Sequence, residues 1–198
     1  MTSTSEQQRK NDIIIFAIIH DDVPPSALKT IYADHFHPLV TELESFTERK
    51  VKVVLASGEP YSNFAYKGED TLQTLMKWEP LAAQYLDEAK KAGFKVDRLS
   101  KVILVTQDNM NSQYTGAALE RGQASSGKFA IASLSSYLNV AHEIGHLLRA
   151  KHEDWEVQYN GWWCETYMTP RRTGIRSICY VFSPANRENI KNYLAGKD

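Results

Sequence analysis

The segment His142-Glu143-Ile144-Gly145-His146 sets two imidazoles four residues apart. On a helix that spacing is one turn, so both rings project from one face and can hold a single metal ion. Glu143 lies one position beyond His142, about 100° around the helix. It can reach a water bound to the metal without ligating the metal itself. Zinc suits imidazole and brings the pKa of a bound water towards about 7, so one carboxylate suffices as general base. The chemistry open to this set is hydrolysis. With 6 histidines in 198 residues, the pentad arises by chance only about 0.01 times.

A third protein ligand leaves the fourth position open for water. His152 stands six residues beyond His146, and Glu165 nineteen. On a continuing helix His152 would lie about 120° round from His146, so it ligates only where the chain turns sharply after Leu148. Glu165 lies beyond an irregular stretch, at a spacing where the gluzincins use a carboxylate. Spacing leaves both open. Met168, in the turn-like Tyr167-Met168-Thr169-Pro170, and the order of the preceding elements favour His152.

Those elements must carry the pentad to a cleft. Ile13 to Ile19 is apolar without alternation and predicts a strand covered on both faces. Ala27 to about Phe46 has helical spacing, with Pro38 expected to kink or divide it. Val51 to Leu55 predicts a second strand and Val102 to Val105 a third. Between them Thr71 to Ala92 predicts a long helix facing the core with Leu72, Leu75, Met76, Leu81, Tyr85, Leu86 and Ala89. The alternation predicts a sheet with crossover helices. Gly116 to Arg121 and Phe129 to Ser133 read as two short strands joined by a Gly/Ser-rich turn. Ser135 or Ser136 is the expected cap of a helix from about Tyr137 to Arg149, buried through Val140, Ile144, Leu147 and Leu148. Ser183-Pro184 opens a last helix, Ala185 to Leu194.

His142 to His152 reads H-E-I-G-H-L-L-R-A-K-H and is followed by Met168. This resembles the metzincin metallopeptidases, whose signature is H-E-x-x-H-x-x-G-x-x-H with a later Met-turn. Phe182-Ser183-Pro184-Ala185-Asn186-Arg187 looks like the C-terminal segment of their adamalysin/reprolysin-like branch. The resemblance implies an α/β fold: a twisted mixed sheet of α+β kind with two long helices, an active-site helix and a small C-terminal subdomain. It divides a single metallopeptidase domain, residues 1–198, into about 11–148 and about 149–198; residues 1–10, being polar, are expected to be disordered. It implies one Zn2+ per chain held by His142, His146 and His152, with Glu143 as general base and Met168 beneath the metal. Arg149 stands where the family has Gly, at the turn towards the third His. In this clan a peptide pairs with an exposed edge strand above the cleft. Gly116, Ala117 and Ala118 are the matching residues, small enough for a backbone to approach.

The implied activity is that of a zinc-dependent endopeptidase. The alternatives are a non-catalytic metzincin-like domain that binds protein or peptide, and a gluzincin-type hydrolase using Glu165. A net charge of −1 offers no basic field for nucleic acid. No apolar run reaches the roughly 18 residues of a transmembrane helix. His20-Asp21-Asp22, not small residues, follow the first apolar run, so no cleavable signal is read. The resemblance implies a monomer secreted or otherwise delivered outside the producing cell. Cys164 and Cys179 either close one loop or stand as free thiols. His35-Phe36-His37 is expected on a helix surface, and Trp162-Trp163 over a small core.

Overall fold

The computed structural model describes residues 10–119, 127–172 and 174–197. Nearly all of the expected disordered segment 1–10 lies outside them. So do the end of the expected strand, Glu120 and Arg121, and most of the Gly/Ser-rich turn that follows.

The first strand, β1 (Ile13–Ile19), is buried along its whole length. It lies between two parallel neighbours, β2 (Val51–Ala56) and β3 (Ser100–Thr106). β4 (Gly116–Ala118) and β5 (Phe129–Ser133) complete a five-stranded sheet in the order β2-β1-β3-β5-β4. β5 is parallel to β3, and β4 returns antiparallel along the edge. The fold is therefore mixed α/β around a mixed sheet.

Parallel strands need crossovers, and helices supply them. α1 (Pro25–Leu28) and α2 (His37–Thr47) join β1 to β2, and α3 (Thr71–Lys91) joins β2 to β3. Beyond β5 come α4 (Asn139–Leu147), a short 3-10 turn at His152–Asp154, and α5 (Pro184–Leu194). β6 (Val157–Tyr159), β7 (Trp163–Glu165) and β8 (Ser177–Ile178) form a separate three-stranded sheet. The unbroken apolar run of β1 is explained by layers on both faces. Ile13, Ile15, Ala17 and Ile19 join a core with Leu39 of α2, Ile144 of α4 and Ile190 of α5. Ile14, Phe16 and Ile18 face Leu75, Trp78 and Leu86 of α3.

Pro38 divides the first helical stretch as expected. Residues Tyr32–Phe36 form a π-helical turn, and Pro38 sits in the first turn of α2, where its missing N–H costs nothing. The cap expected for α4 differs. The helix begins at Asn139 with no side-chain cap. The Asn139 amide donates instead to Ser133 O (3.1 Å) and Ser135 Oγ (3.2 Å). The helix start is thus tied to the end of β5 through Asn139, while Ser136 Oγ accepts from Leu138 N (3.3 Å) just ahead of the first turn rather than capping it. On α3 the buried stripe is Thr74, Leu75, Trp78, Ala82, Leu86 and Ala89, while Leu72 and Met76 are exposed. The expected face included those two because they are apolar. Burial follows the i, i+4 line through Trp78, on which polar Thr74 also lies.

Three further expectations are corrected. His35 and Phe36 are buried, and the His35 ring stacks on Tyr137 at 5.2 Å, because the π turn rotates them inward. Trp162 and Trp163 are exposed at the tip of the β6–β7 hairpin, where no core lies beneath them. The stretch after Arg149, read as irregular, contains three short strands, too brief to leave a periodicity.

Candidate metal centre

α4 delivers His142 and His146 to one face, one turn apart. The helix then stops in a Schellman motif: Ala150 N donates to Gly145 O (2.9 Å) and Arg149 N to His146 O (3.0 Å). Arg149 takes the left-handed conformation, φ 76°. This is the sharp turn that His152 requires, built on a residue with a Cβ.

Asn186, fully buried on α5, then fixes the backbone that follows the turn. Its Oδ1 accepts from Lys151 N (2.6 Å) and its Nδ2 donates to Lys151 O (3.1 Å). Ser183 Oγ caps α5 by accepting from Asn186 N, and also donates to Asp154 O. The backbone on both sides of His152 is therefore held by the last helix. This clamp was not read from the sequence; an Asn three residues after a capping Ser was its only signal.

The three Nε2 atoms converge. His142 lies 2.8 Å from His152 and 3.2 Å from His146, and His146 lies 3.0 Å from His152. Among the described residues this is the one group of three or more His, Cys, Asp or Glu residues arranged to hold a metal ion. Tetrahedral Zn–N bonds of 2.0–2.1 Å set nitrogens about 3.3 Å apart, close to the separations here. His142 Nδ1 donates to Tyr167 O (2.8 Å), which turns the Nε2 lone pair inward. Burial, then the neighbouring His146, pushes His142 down to about 3; burial, then His152, pushes His146 down to about 4. Both rings are neutral at pH 7, as metal ligands must be. The donor set fits zinc.

Met168 is buried directly under α4. A Cβ built on Gly145 would lie 2.6 Å from Met168 Sδ and 2.9 Å from the Phe182 ring. Glu165 is not part of the histidine cluster. Its carboxylate, fully buried, faces Arg176 (3.4 Å) and Arg172 (3.6 Å). Cys164 and Cys179 are joined in a disulfide, and Cys179 N donates to Glu165 O.

Glu143 is buried beside the histidines in a cleft of about 610 Å³. β4 borders this cleft and is an edge of the sheet. Ser133 N donates to Thr115 O and Leu119 N to Phe129 O. By antiparallel alternation, Ala117 pairs with β5, while Gly116 and Ala118 direct N–H and C=O outward. Among the described residues no strand pairs with that side. Gly116 has a second reason to be small: a Cβ there would lie 2.7 Å from Ile131 O and 3.0 Å from Glu143 Oε1.

No protein-family model matches the chain, and no curated protein sequence matches it. Solved structures do. Metalloproteinase-II from Bacteroides fragilis superposes with a TM-score of 0.65 at 16% identity, over 93% of this chain and 53% of that one. A zinc-dependent peptidase from Methanocorpusculum labreanum superposes with a TM-score of 0.52 at 17% identity, over 89% of this chain and 99% of that one. A chain of a chaperone–substrate complex matches with a TM-score of 0.61 at 12% identity, over 93% of this chain and 34% of that one. The chain thus spans about half the length of the Bacteroides metalloproteinase. At these identities the likeness is one of fold, shared with structures described as metallopeptidases.

Proposed function

We propose that the chain is a zinc-dependent endopeptidase of metzincin type, closest in plan to the adamalysin/reprolysin-like branch. The observation that carries this reading is the convergence of the His142, His146 and His152 Nε2 atoms beside Glu143 in a cleft bordered by a strand edge that no described strand pairs with. The left-handed turn at Arg149 and the place of Met168 beneath Gly145 support the metzincin type over the gluzincin one.

Zinc at the three imidazoles would polarise a peptide carbonyl and acidify a water. The chain's own residues do the rest. A peptide adds as a strand to the outward groups of Gly116 and Ala118, which orients the scissile bond over the histidines. Glu143 takes the proton of the attacking water and returns it to the leaving amine. Tyr167 O and the Asn186 clamp keep two of the imidazoles aimed.

The substrates in this reading are proteins or peptides, and the protein acts as a monomer outside the producing cell, with one zinc per chain. The Cys164–Cys179 disulfide suits an oxidising compartment. No helix among the described residues is long and apolar enough to cross a membrane. The 11–148 and 149–198 subdomains correspond in this reading to the walls above and below the cleft.

The test is metal analysis together with turnover. Purified protein should carry one zinc, and phenanthroline should abolish cleavage of a denatured protein substrate. Glu143→Ala should keep the zinc and lower turnover by roughly 10²–10⁴. A protein that takes up no zinc refutes the reading, and unchanged cleavage by Glu143→Ala assigns the base elsewhere.

A further inference from the structure

Two arginines line one side of the cleft. Arg171 and Arg172 border it together with His142, His146 and His152. Both belong to the loop closed by the Cys164–Cys179 disulfide, which fixes the loop's ends. Inside that loop Glu165 is fully buried and holds Arg172 through Nε and Arg176 through Nη1. Arg172 Nη2 also donates to Arg176 O (2.7 Å). Among the described residues no carboxylate lies within ion-pair distance of Arg171.

Glu165 thus faces two guanidinium groups, and Arg171 adds a third to the same loop, so among the described residues the loop's arginines outnumber the carboxylate that faces them. The Arg172 side chain is 35% exposed: Nε and Nη2 are engaged within the loop, and the rest of the guanidinium is open at the cleft. None of the hydrolytic steps uses these arginines. A guanidinium held in place is the side chain best matched to a carboxylate, by planar paired N–H donors. Anchoring before a ligand arrives lowers the entropy lost on binding.

We propose that Arg171 and Arg172 form a subsite for an acidic side chain, Asp or Glu, of the peptide in the cleft, with Glu165 as its positioning residue. The peptide nature of the occupant rests on the peptidase reading; the carboxylate preference rests on the arginines. Glu165 is then buried for a reason: it holds Arg172 at the cleft rather than in bulk solvent.

The test uses full-length, zinc-loaded Glu143→Gln protein and a pool of short synthetic peptides randomised at every position. Retained peptides, sequenced by mass spectrometry, should be enriched in Asp or Glu at one position. A Glu peptide from that set should bind about ten-fold more tightly than its Gln counterpart, the scale of a charge-assisted hydrogen bond. The Glu/Gln ratio should fall to near one in Arg171→Ala/Arg172→Ala and invert towards Lys peptides in Arg172→Glu. Glu165→Gln should lower the ratio while zinc is retained, an effect that simple loosening of the fold does not produce. If that buried variant does not fold, the exposed double variant decides. Retention without acidic enrichment, a ratio that survives the double substitution, or no retained peptide at all overturns the proposal. The two readings fail separately: wild-type protein that prefers the acidic peptides but leaves them uncut refutes the peptidase alone.

Discussion

The sulfur of Met168 lies against Gly145, so close that a Cβ on Gly145 would come within 2.6 Å of it. The second variable position of the histidine pentad is therefore set by the packing beneath the helix, not by the metal. Helix propensity alone favours Ala over Gly by up to about 1 kcal/mol. Here the Phe182 ring stands 2.9 Å from the same point, and both neighbours are buried.

Gly145→Ala should accordingly destabilise the protein, by about 1–2 kcal/mol, because overpacking outweighs the propensity gain. Chemical denaturation measures this. In a double-mutant cycle with Met168→Ala, the combined loss should be smaller than the sum of the single losses, since each substitution relieves the other. Simple additivity would show that the two side chains do not share one space.

Asn186 should control zinc retention without touching zinc. Asn186→Ala leaves both backbone groups of Lys151 without their present partners. These bonds are half-buried, and each one lost costs about 0.5–1.5 kcal/mol. Zinc affinity, measured by competition with a coloured chelator, should fall by roughly 10–100-fold, the usual effect of losing a residue that orients a ligand. An unchanged affinity would mean that His152 is positioned by the Arg149 turn alone.

Lys101 predicts the pH dependence of stability. It is fully buried on β3, donating to Gly127 O (2.9 Å) and Tyr193 OH (2.8 Å). Burial pushes it down to about 7 from an ordinary value of 10.5. Between those two pH values the unfolded chain holds the proton and the folded one does not. Stability should therefore rise with pH across that window, and the contribution should be lost as pH falls to about 7. Lys101→Met should flatten the rise in a series of denaturation curves. A wild-type curve with no Lys101-dependent slope would place the charge in the folded core at all these pH values.

The site was more legible than its supports. His142, Glu143 and His146 could be placed together because one helical turn brings i and i+4 to one face, a local rule. The strands of the parallel sheet were legible because burial on both faces leaves an unbroken apolar run, as in Ile13 to Ile19. What escaped was set by contacts distant in sequence. The Asn186 clamp on Lys151 spans 35 residues. The inward turn of His35 depends on a π-helical turn whose hydrogen bonds leave no composition signal. Leu72 and Met76 were expected in the core because apolar type was read as burial, whereas the helix presents the stripe through Thr74 and Trp78.

The identity of the third ligand can be tested from two sides, because the turn that presents His152 has a conformational requirement of its own. Arg149 sits at φ 76°, a region that costs a residue with a Cβ about 1–2 kcal/mol and costs Gly almost nothing. Arg149→Gly relieves that strain but gives the unfolded chain more freedom, worth roughly 0.5–1 kcal/mol in the other direction. The melting temperature should therefore hold or rise slightly. In a continuing helix the same substitution would cost up to about 1 kcal/mol. On the metal side, His152→Ala removes one of three converging Nε2 atoms and should sharply weaken zinc retention. Glu165→Ala should leave zinc in place yet lower stability, since Arg172 and Arg176 lose the carboxylate between them. Zinc titration of the two Ala variants and a melting curve of the Gly variant thus interrogate one turn. Normal zinc affinity in His152→Ala, or zinc lost in Glu165→Ala with the fold intact, would sink the metzincin assignment and leave the carboxylate as the ligand.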